Sequence, residues 1–397
     1  MKYITRTIWI LSLISLFTDM GSEMLYPVMP LYLKSIGFSV VLIGLLEGVA
    51  EATIGLSKGY FGKRSDLVGK RVPFVQFGYA LSVIAKPLMI LFTNVIWVFF
   101  VRTLDRFGKG IRTGARDALL SDEATQETKA RVFGFHRGMD TLGAVFGPAI
   151  ALLYLYYHPG SYKTLFLITI FPGVIVILIS FLLKEKKKDK MLVPGSGSFA
   201  SFLGYWKESP SMYRKVVVGL LVFALFNSSD VFLLLKLKEA GLTDTYIIGV
   251  YIFYNLIYAV LAFPMGVMAD RIGVKKTFVL GLALFAITYM GMSFKAEIWI
   301  YLLLFACYGA FYAATEGIAK VWISNIATKD HTATAIGFYS GFQSIALLFA
   351  SSMTGLIWYS FGPTYAFLIT GIAAVGVMVY FLVLITSLDV STTLNDQ

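Results

Sequence analysis

Along the chain, long apolar runs alternate with short breaks that carry charge, glycine or proline. The runs lie at 7–33, 40–61, 73–92, 95–118, 131–156 and 162–183. After a polar segment they resume at 214–235, 246–268, 277–294, 297–323, 333–358 and 363–386. At 1.5 Å per residue each can cross a hydrocarbon layer about 30 Å thick, so the pattern predicts an all-α membrane protein with twelve transmembrane helices. The expected organisation is a bundle over 1–183, a cytoplasmic linker over 184–213, a second bundle over 214–386 and a tail over 387–397.

One run departs from the rest. The stretch VRTLDRFGKGIRTGARD, Val101 to Asp117, places Arg102, Asp105, Arg106, Lys109, Arg112, Arg116 and Asp117 within an arc of roughly 140° at 100° per residue. The other face reads Leu104, Phe107 and Ile111, with Gly110 and Gly114. A charged group facing hydrocarbon is costly, so the charged face predicts a cavity or partner helices on that side.

Composition agrees with the pattern. Apolar residues are 57% of the chain and charged residues 14%. The net charge of +11 then needs a membrane explanation before a nucleic-acid one. Lys63, Arg64, Lys70, Arg71, Lys129, Arg131, Arg271, Lys275, Lys276 and the lysines of KEKKKDK (Lys184 to Lys190) all fall on one side of the predicted spans. Basic residues are retained on the cytoplasmic side of short loops, which puts both termini in the cytoplasm of a bacterial-type inner membrane. Trp9, Trp97, Trp299, Trp322 and Trp358 lie near span ends, as an interfacial belt does. The N-terminus MKYITRTIWILSLISLF resembles a secretory leader, but no small-residue cleavage site follows and it reads as a retained first helix. Cys307 is single, which excludes a disulfide framework. His136, His158 and His331 lack metal-site spacing, and no GxxxxGK[ST] occurs, so no metal, cofactor or nucleotide hydrolysis is expected.

The two halves repeat. GKRSDLVGKR, Gly62 to Arg71, has the spacing GxxxDxxG, and GVMADRIGVKK, Gly266 to Lys276, has it again 204 positions later. GFHRG at Gly134 matches GFYSG at Gly337 at an offset of 203. Two signals at nearly one offset indicate duplication with both halves in the same orientation.

On these motifs the chain resembles the major facilitator superfamily of secondary transporters over all twelve spans. GKRSDLVGKR is similar to the family's loop motif between spans two and three. RFGKG, Arg106 to Gly110, is similar to its RxxxG element in span four. GAVFGPAIA, Gly143 to Ala151, is similar to the GxxxGP motif of its proton-coupled exporters, with alanine in place of the last glycine. The resemblance implies a cavity lined by spans 1, 4, 7 and 10. It also implies that Asp66 locks the cytoplasmic side at the start of span eleven. Lys70 would then meet an acid at the end of span four, either Asp117 or Asp122, with Gly62, Gly69 and Arg71 completing the gating motif. Lys320 stands at the second-half match of Asp117, so the second loop is expected to lack this clasp.

Asp19, Glu51, Arg106 and Asp140 each lie roughly 14 to 17 Å from the start of their spans and are expected at one level, with Glu23, Arg102, Lys109 and His136 nearby. Three carboxylates and a guanidinium in one dry layer cannot all ionise cheaply, so one carboxylate is expected to exchange a proton, Asp19 first and Asp140 second. A static ion-pair network is the structural alternative. Lys86 has no place in this scheme, and Arg112, Arg116 and Asp117 are expected near the interface in structural or lipid-facing roles. In the second half Gln343 matches Asp140, and Asn227, Asp230, Asn255, Tyr312, Glu316 and Gln343 are the candidates that shape the substrate site. Glu316 and Lys320, four apart, can pair with each other. These features predict a monomeric proton-coupled exporter of a small organic molecule, in contact with lipid, protons and substrate. Uptake of an organic or phosphorylated anion and lipid translocation are the alternatives, and nothing converges as an enzyme site.

Overall fold

The computed structural model describes residues 4–26, 28–38, 40–185 and 201–395, and among them no strand occurs. The helices are α1 (Arg6–Leu25), α2 (Met29–Ser35), α3 (Val40–Val68), α4 (Val72–Leu88), α5 (Val95–Glu123), α6 (Lys129–Tyr157), α7 (Tyr162–Ile168) and α8 (Ile170–Ser180). They continue as α9 (Tyr205–Glu208), α10 (Ser211–Ala224), α11 (Val231–Glu239), α12 (Asp244–Ile272), α13 (Val274–Met292), α14 (Ile298–Ile326), α15 (Thr332–Phe361) and α16 (Pro363–Asn395). The lysine run from residue 186 and the VPGSG stretch lie outside the described residues.

Among the described residues, eight stretches are long and apolar enough to cross a membrane: α1, α6, α7 with α8, most of α12, α13, α14, α15 and the first part of α16. The other expected spans fall on α3, on the 17-residue α4, on the charged α5 and on the pair α10 and α11. That pair is interrupted at FNSSD, where short polar side chains compete with the helical backbone for hydrogen bonds. The tail expected from residue 387 instead continues α16 to Asn395, since neither glycine nor proline stops it. Apolar side chains such as Ile96, Phe171 and Leu356 are exposed on the outside, as lipid-facing residues are.

Close approach of backbones sets the packing. A Cβ on Gly78 would stand 2.6 Å from the Gly108 carbonyl oxygen, and one on Gly108 would stand 2.7 Å from that of Gly78, so α4 and α5 touch there. Between the halves α3 meets α15, where a Cβ on Gly62 would lie 2.5 Å from the Ala333 carbonyl oxygen. In parallel α6 meets α12, where Gly134 faces Ala262 at the same 2.5 Å. Small residues thus let the two halves close on each other at the end that carries the α3–α4 and α12–α13 loops.

Candidate functional site

The charged face of α5 divides among several neighbours. Asn94 caps the helix by accepting from the Trp97 amide at 2.8 Å. Arg102 grips Glu47 of α3 through Nε at 3.0 Å and Nη2 at 2.9 Å. Asp105 stands 3.9 Å from Lys86 of α4 and 3.8 Å from both Arg102 and Arg106, which gives Lys86 its place. A cavity of about 20 Å³, roomy enough for one water, lies beside Lys86, Arg102, Asp105 and Arg106. Arg112 turns to α4, where its guanidinium sits 4.4 Å above the Tyr79 ring and Nη1 donates to Ser82 Oγ at 2.7 Å. Arg116 pairs with Asp117 at 2.9 Å, and Asp117 receives Lys320 of α14 at 2.8 Å. The lipid-facing role expected for Arg112, Arg116 and Asp117 is therefore corrected: all three are buried against protein.

Midway along α1 and α6 two carboxyls meet. Asp140 accepts from Ser15 Oγ in a short hydrogen bond and from Arg137 Nη1 at 2.6 Å. Asp19 of α1 stands beside Asp140 here: a Cβ on Gly143, nearly one turn from Asp140 on α6, would lie 3.1 Å from the Asp19 Cβ. Arg137 extends its other arm to Glu316 of α14 at 2.7 Å, so one guanidinium joins the carboxyl pair to the opposite half. Arg106, expected at one level with Asp19, Glu51 and Asp140, lies nearly one turn before Lys109 on α5, where its charge meets those of Glu51 and Glu23, while Lys109 has that contact with Asp19. Glu316 and Lys320 likewise do not pair through hydrogen bonds with each other; each takes a partner from the first half. His136, one turn from Asp140, meets Ser12 Oγ through Nδ1 at 3.4 Å, and its Nε2 is buried without a hydrogen-bond partner among the described residues.

The second half contributes a mostly aromatic wall. Tyr254 donates to Asp230 in a short hydrogen bond, and Tyr251 donates to Glu23 across the halves at 3.3 Å. Tyr308 and Tyr312 join hydroxyls at 3.2 Å. Asn255 turns its amide to the Tyr251 carbonyl on its own helix at 3.0 Å, whereas the Asn227 side-chain oxygen is buried without a hydrogen-bond partner among the described residues. Gln343 is half-buried on α15.

The family model described as Major Facilitator Superfamily matches residues 11–254 and 235–395. The chain belongs to the major facilitator superfamily. It is 30% identical to an uncharacterized MFS-type transporter of Methanocaldococcus jannaschii over 96% of each chain. It is 24% identical to the MFS-type transporter SLC18B1 of Rattus norvegicus over 86% of this chain and 75% of that one. With Citrate exporter 1 of Aspergillus niger the identity is 25% over 49% of this chain and 36% of the exporter. Among solved structures, the human organic anion transporter MFSD10 (TETRAN) superposes with a TM-score of 0.82 at 15% identity, covering 95% of this chain and 99% of that one. FucP in the outward conformation gives 0.71 at 14% identity, covering 96% and 99%. The fold is thus that of the superfamily, and the protein is an integral membrane transporter, not an enzyme.

In this superfamily member the loop motif forms two related clasps. Asp66 accepts from the Thr334 amide and hydroxyl, both at 2.8 Å, at the start of α15. Arg71 joins Asp66 at 3.1 Å to Asp122 at 2.5 Å, so Arg71 takes the role expected of Lys70 and Asp122, one of the two acids expected, is its partner; Lys70 is exposed. The reason is local: Gly69 at φ +65° turns the chain back so that Arg71, not Lys70, points inward. Asp270 accepts from the amides of Ala130 and Arg131, both at 3.0 Å, and from Arg131 Nε at 2.7 Å. The expectation that the second loop lacks a clasp therefore holds only for the arm that Arg71 provides. The linker also engages this end. Glu185 accepts from the Arg71 and Val72 amides, Phe202 fills the space over Gly59, and Trp206 stacks on Phe338 at 5.7 Å. Burial, with Asp66 and Glu208 nearby, pushes the Tyr205 phenol up to about 12. Sequence reasoning missed Ser15 and Lys58 as site residues; Lys58 is a charged residue inside an apolar run, a signal that was available.

Proposed function

We propose that the chain is a proton-coupled secondary transporter of twelve spans that exports a small organic molecule by alternating access. It acts as a monomer in a bacterial-type inner membrane with both termini cytoplasmic. The two bundles, 1–183 and 214–386, rock about the contacts between α3 and α15 and between α6 and α12. The observation that carries the reading is Arg137, bound both to Asp140, beside which Asp19 of α1 packs, and to Glu316 of the other half. Proton occupancy of the pair sets how strongly Asp140 competes for Arg137, and hence how firmly α6 is tied to α14. Proton binding and the separation of the halves then share one free energy. Cross-half bonds at Asp66, Asp270, Asp117 and Arg137 describe a carrier closed at its cytoplasmic end. Export is supported by the partial similarity to a citrate exporter and by the GxxxGP-like run from Gly143 to Pro148.

A second reading, uptake of an organic or phosphorylated anion together with a proton, is favoured by Lys58, Arg106 and Lys109. The test uses everted vesicles and intact cells that produce the protein, given labelled metabolite, drug and siderophore panels. Accumulation in energised everted vesicles that collapses with a protonophore is the expected result. Accumulation only in intact cells would assign uptake, and insensitivity to the protonophore would remove proton coupling.

A further inference from the structure

We infer that the transported molecule is an anion with a carboxylate or phosphoryl group, held by Lys58, Lys109 and Arg106 on the facing sides of α3 and α5. The inference rests on the carrier reading above and names the substrate class of its cavity. Most buried cations of the first half have a tight partner: Arg102 has Glu47, Arg116 has Asp117, Arg137 has Asp140 and Glu316, and Arg112 has Tyr79 and Ser82. Among the described residues Lys58 hydrogen-bonds only Ser344 Oγ, at 3.4 Å. Lys109 makes no hydrogen bond or ion pair among the described residues, and the carboxylate nearest Arg106 is 3.8 Å away. Lys58 and Lys109 are in electrostatic contact with each other, an unfavourable arrangement that the fold retains.

Two ammonium groups with a guanidinium supply the charge-assisted donors that carboxylate and phosphoryl oxygens take.

The test is the unfolding temperature of the purified full chain against concentration of three probes: citrate, 3-phosphoglycerate and the cation tetraphenylphosphonium. At least one of the two anions should raise it in a saturable way, and comparison of the two separates carboxylate from phosphoryl recognition. Lys109→Gln and Lys58→Gln should each weaken that binding about tenfold or more, while Lys163→Gln, exposed in the first turn of α7, should not. Using both lysine variants keeps a readout if one fails to fold. Stabilisation by the cation alone, by none of the probes, or by an anion with equal affinity in both variants would overturn the assignment. A cation response with proton-driven transport still lost in Asp19→Asn would remove the anion and leave the carrier reading standing.

Discussion

Replacing Asp270 by asparagine should open the loop end nearly as far as replacing Asp66. Each carboxylate takes two hydrogen bonds from the start of a helix in the opposite half, at 2.8 Å for Asp66 and 3.0 Å for Asp270. Asparagine keeps the shape and one acceptor oxygen but removes the charge. A hydrogen bond to a charged group contributes about 1.5 to 3 kcal/mol against about 0.5 to 1.5 for a neutral one, so two such bonds lose about 2 kcal/mol. The charge at a helix N-terminus contributes about 0.3 to 2 kcal/mol more. About 2 to 4 kcal/mol per site shifts a closed-to-open equilibrium roughly 30- to 900-fold. Spin labels at Glu127 and Thr328, in a Cys307→Ser background, report the distance across that end by electron–electron resonance. Both variants should populate a longer distance, with Asp66→Asn somewhat ahead because it also releases Arg71 and Asp122. An unchanged distance in Asp270→Asn beside a lengthened one in Asp66→Asn would refute the argument that helix capping closes this end.

Asp19→Asn should abolish proton-driven accumulation in vesicles and leave substrate exchange, which needs no net proton movement. Normal accumulation in Asp19→Asn, Asp140→Asn and Glu51→Gln alike would reduce these residues to structural ties. Asp117→Asn and Lys320→Gln should each lower the unfolding temperature in detergent, and the double variant should lose less than the sum, by a coupling of about 1 to 3 kcal/mol; additive losses would mean that the 2.8 Å contact contributes nothing. Gly62→Ala places a methyl against the Ala333 carbonyl and should bias the same spin labels to the longer distance. A wild-type distance distribution there would show that α3 and α15 have room to spare.

Much of this arrangement was legible in the sequence. The apolar runs located the helices and GxxxDxxG located the Asp66 clasp, because length and spacing are local properties of the chain; the second loop was expected to lack a clasp, and Asp270 forms one by capping α6. Depth alone put Asp19 and Asp140 at one level. Partner choice did not follow from it. Periodicity fixes which face of α5 holds Arg106 and Lys109, but which one meets Asp19 depends on how far α5 is rotated against α1. Glu316 and Lys320 illustrate the same limit. Their spacing permits a bond to each other, yet Arg137 and Asp117 lie within reach across the interface and take them instead. The inward turn of Arg71 depended on the left-handed backbone at Gly69, which composition does not reveal.

The two clasps are also reciprocal. Asp66 caps α15 at Thr334, and Asp270, 204 positions later, caps α6 at Ala130, which lies 204 positions before Thr334. Contacts that exchange places in this way are the mark of an isologous interface, the kind two identical subunits form about a twofold axis. The joint between the halves thus has the symmetry of a homodimer contact inside a single chain. In a homodimer every substitution at such a joint strikes twice, and a polar bridge has to be self-complementary. A single chain carries no such constraint. Where Arg71 and Asp122 form a bridge on one side, Lys275 and Ile326 occupy the matching positions on the other, so the two sides of the joint have been free to diverge.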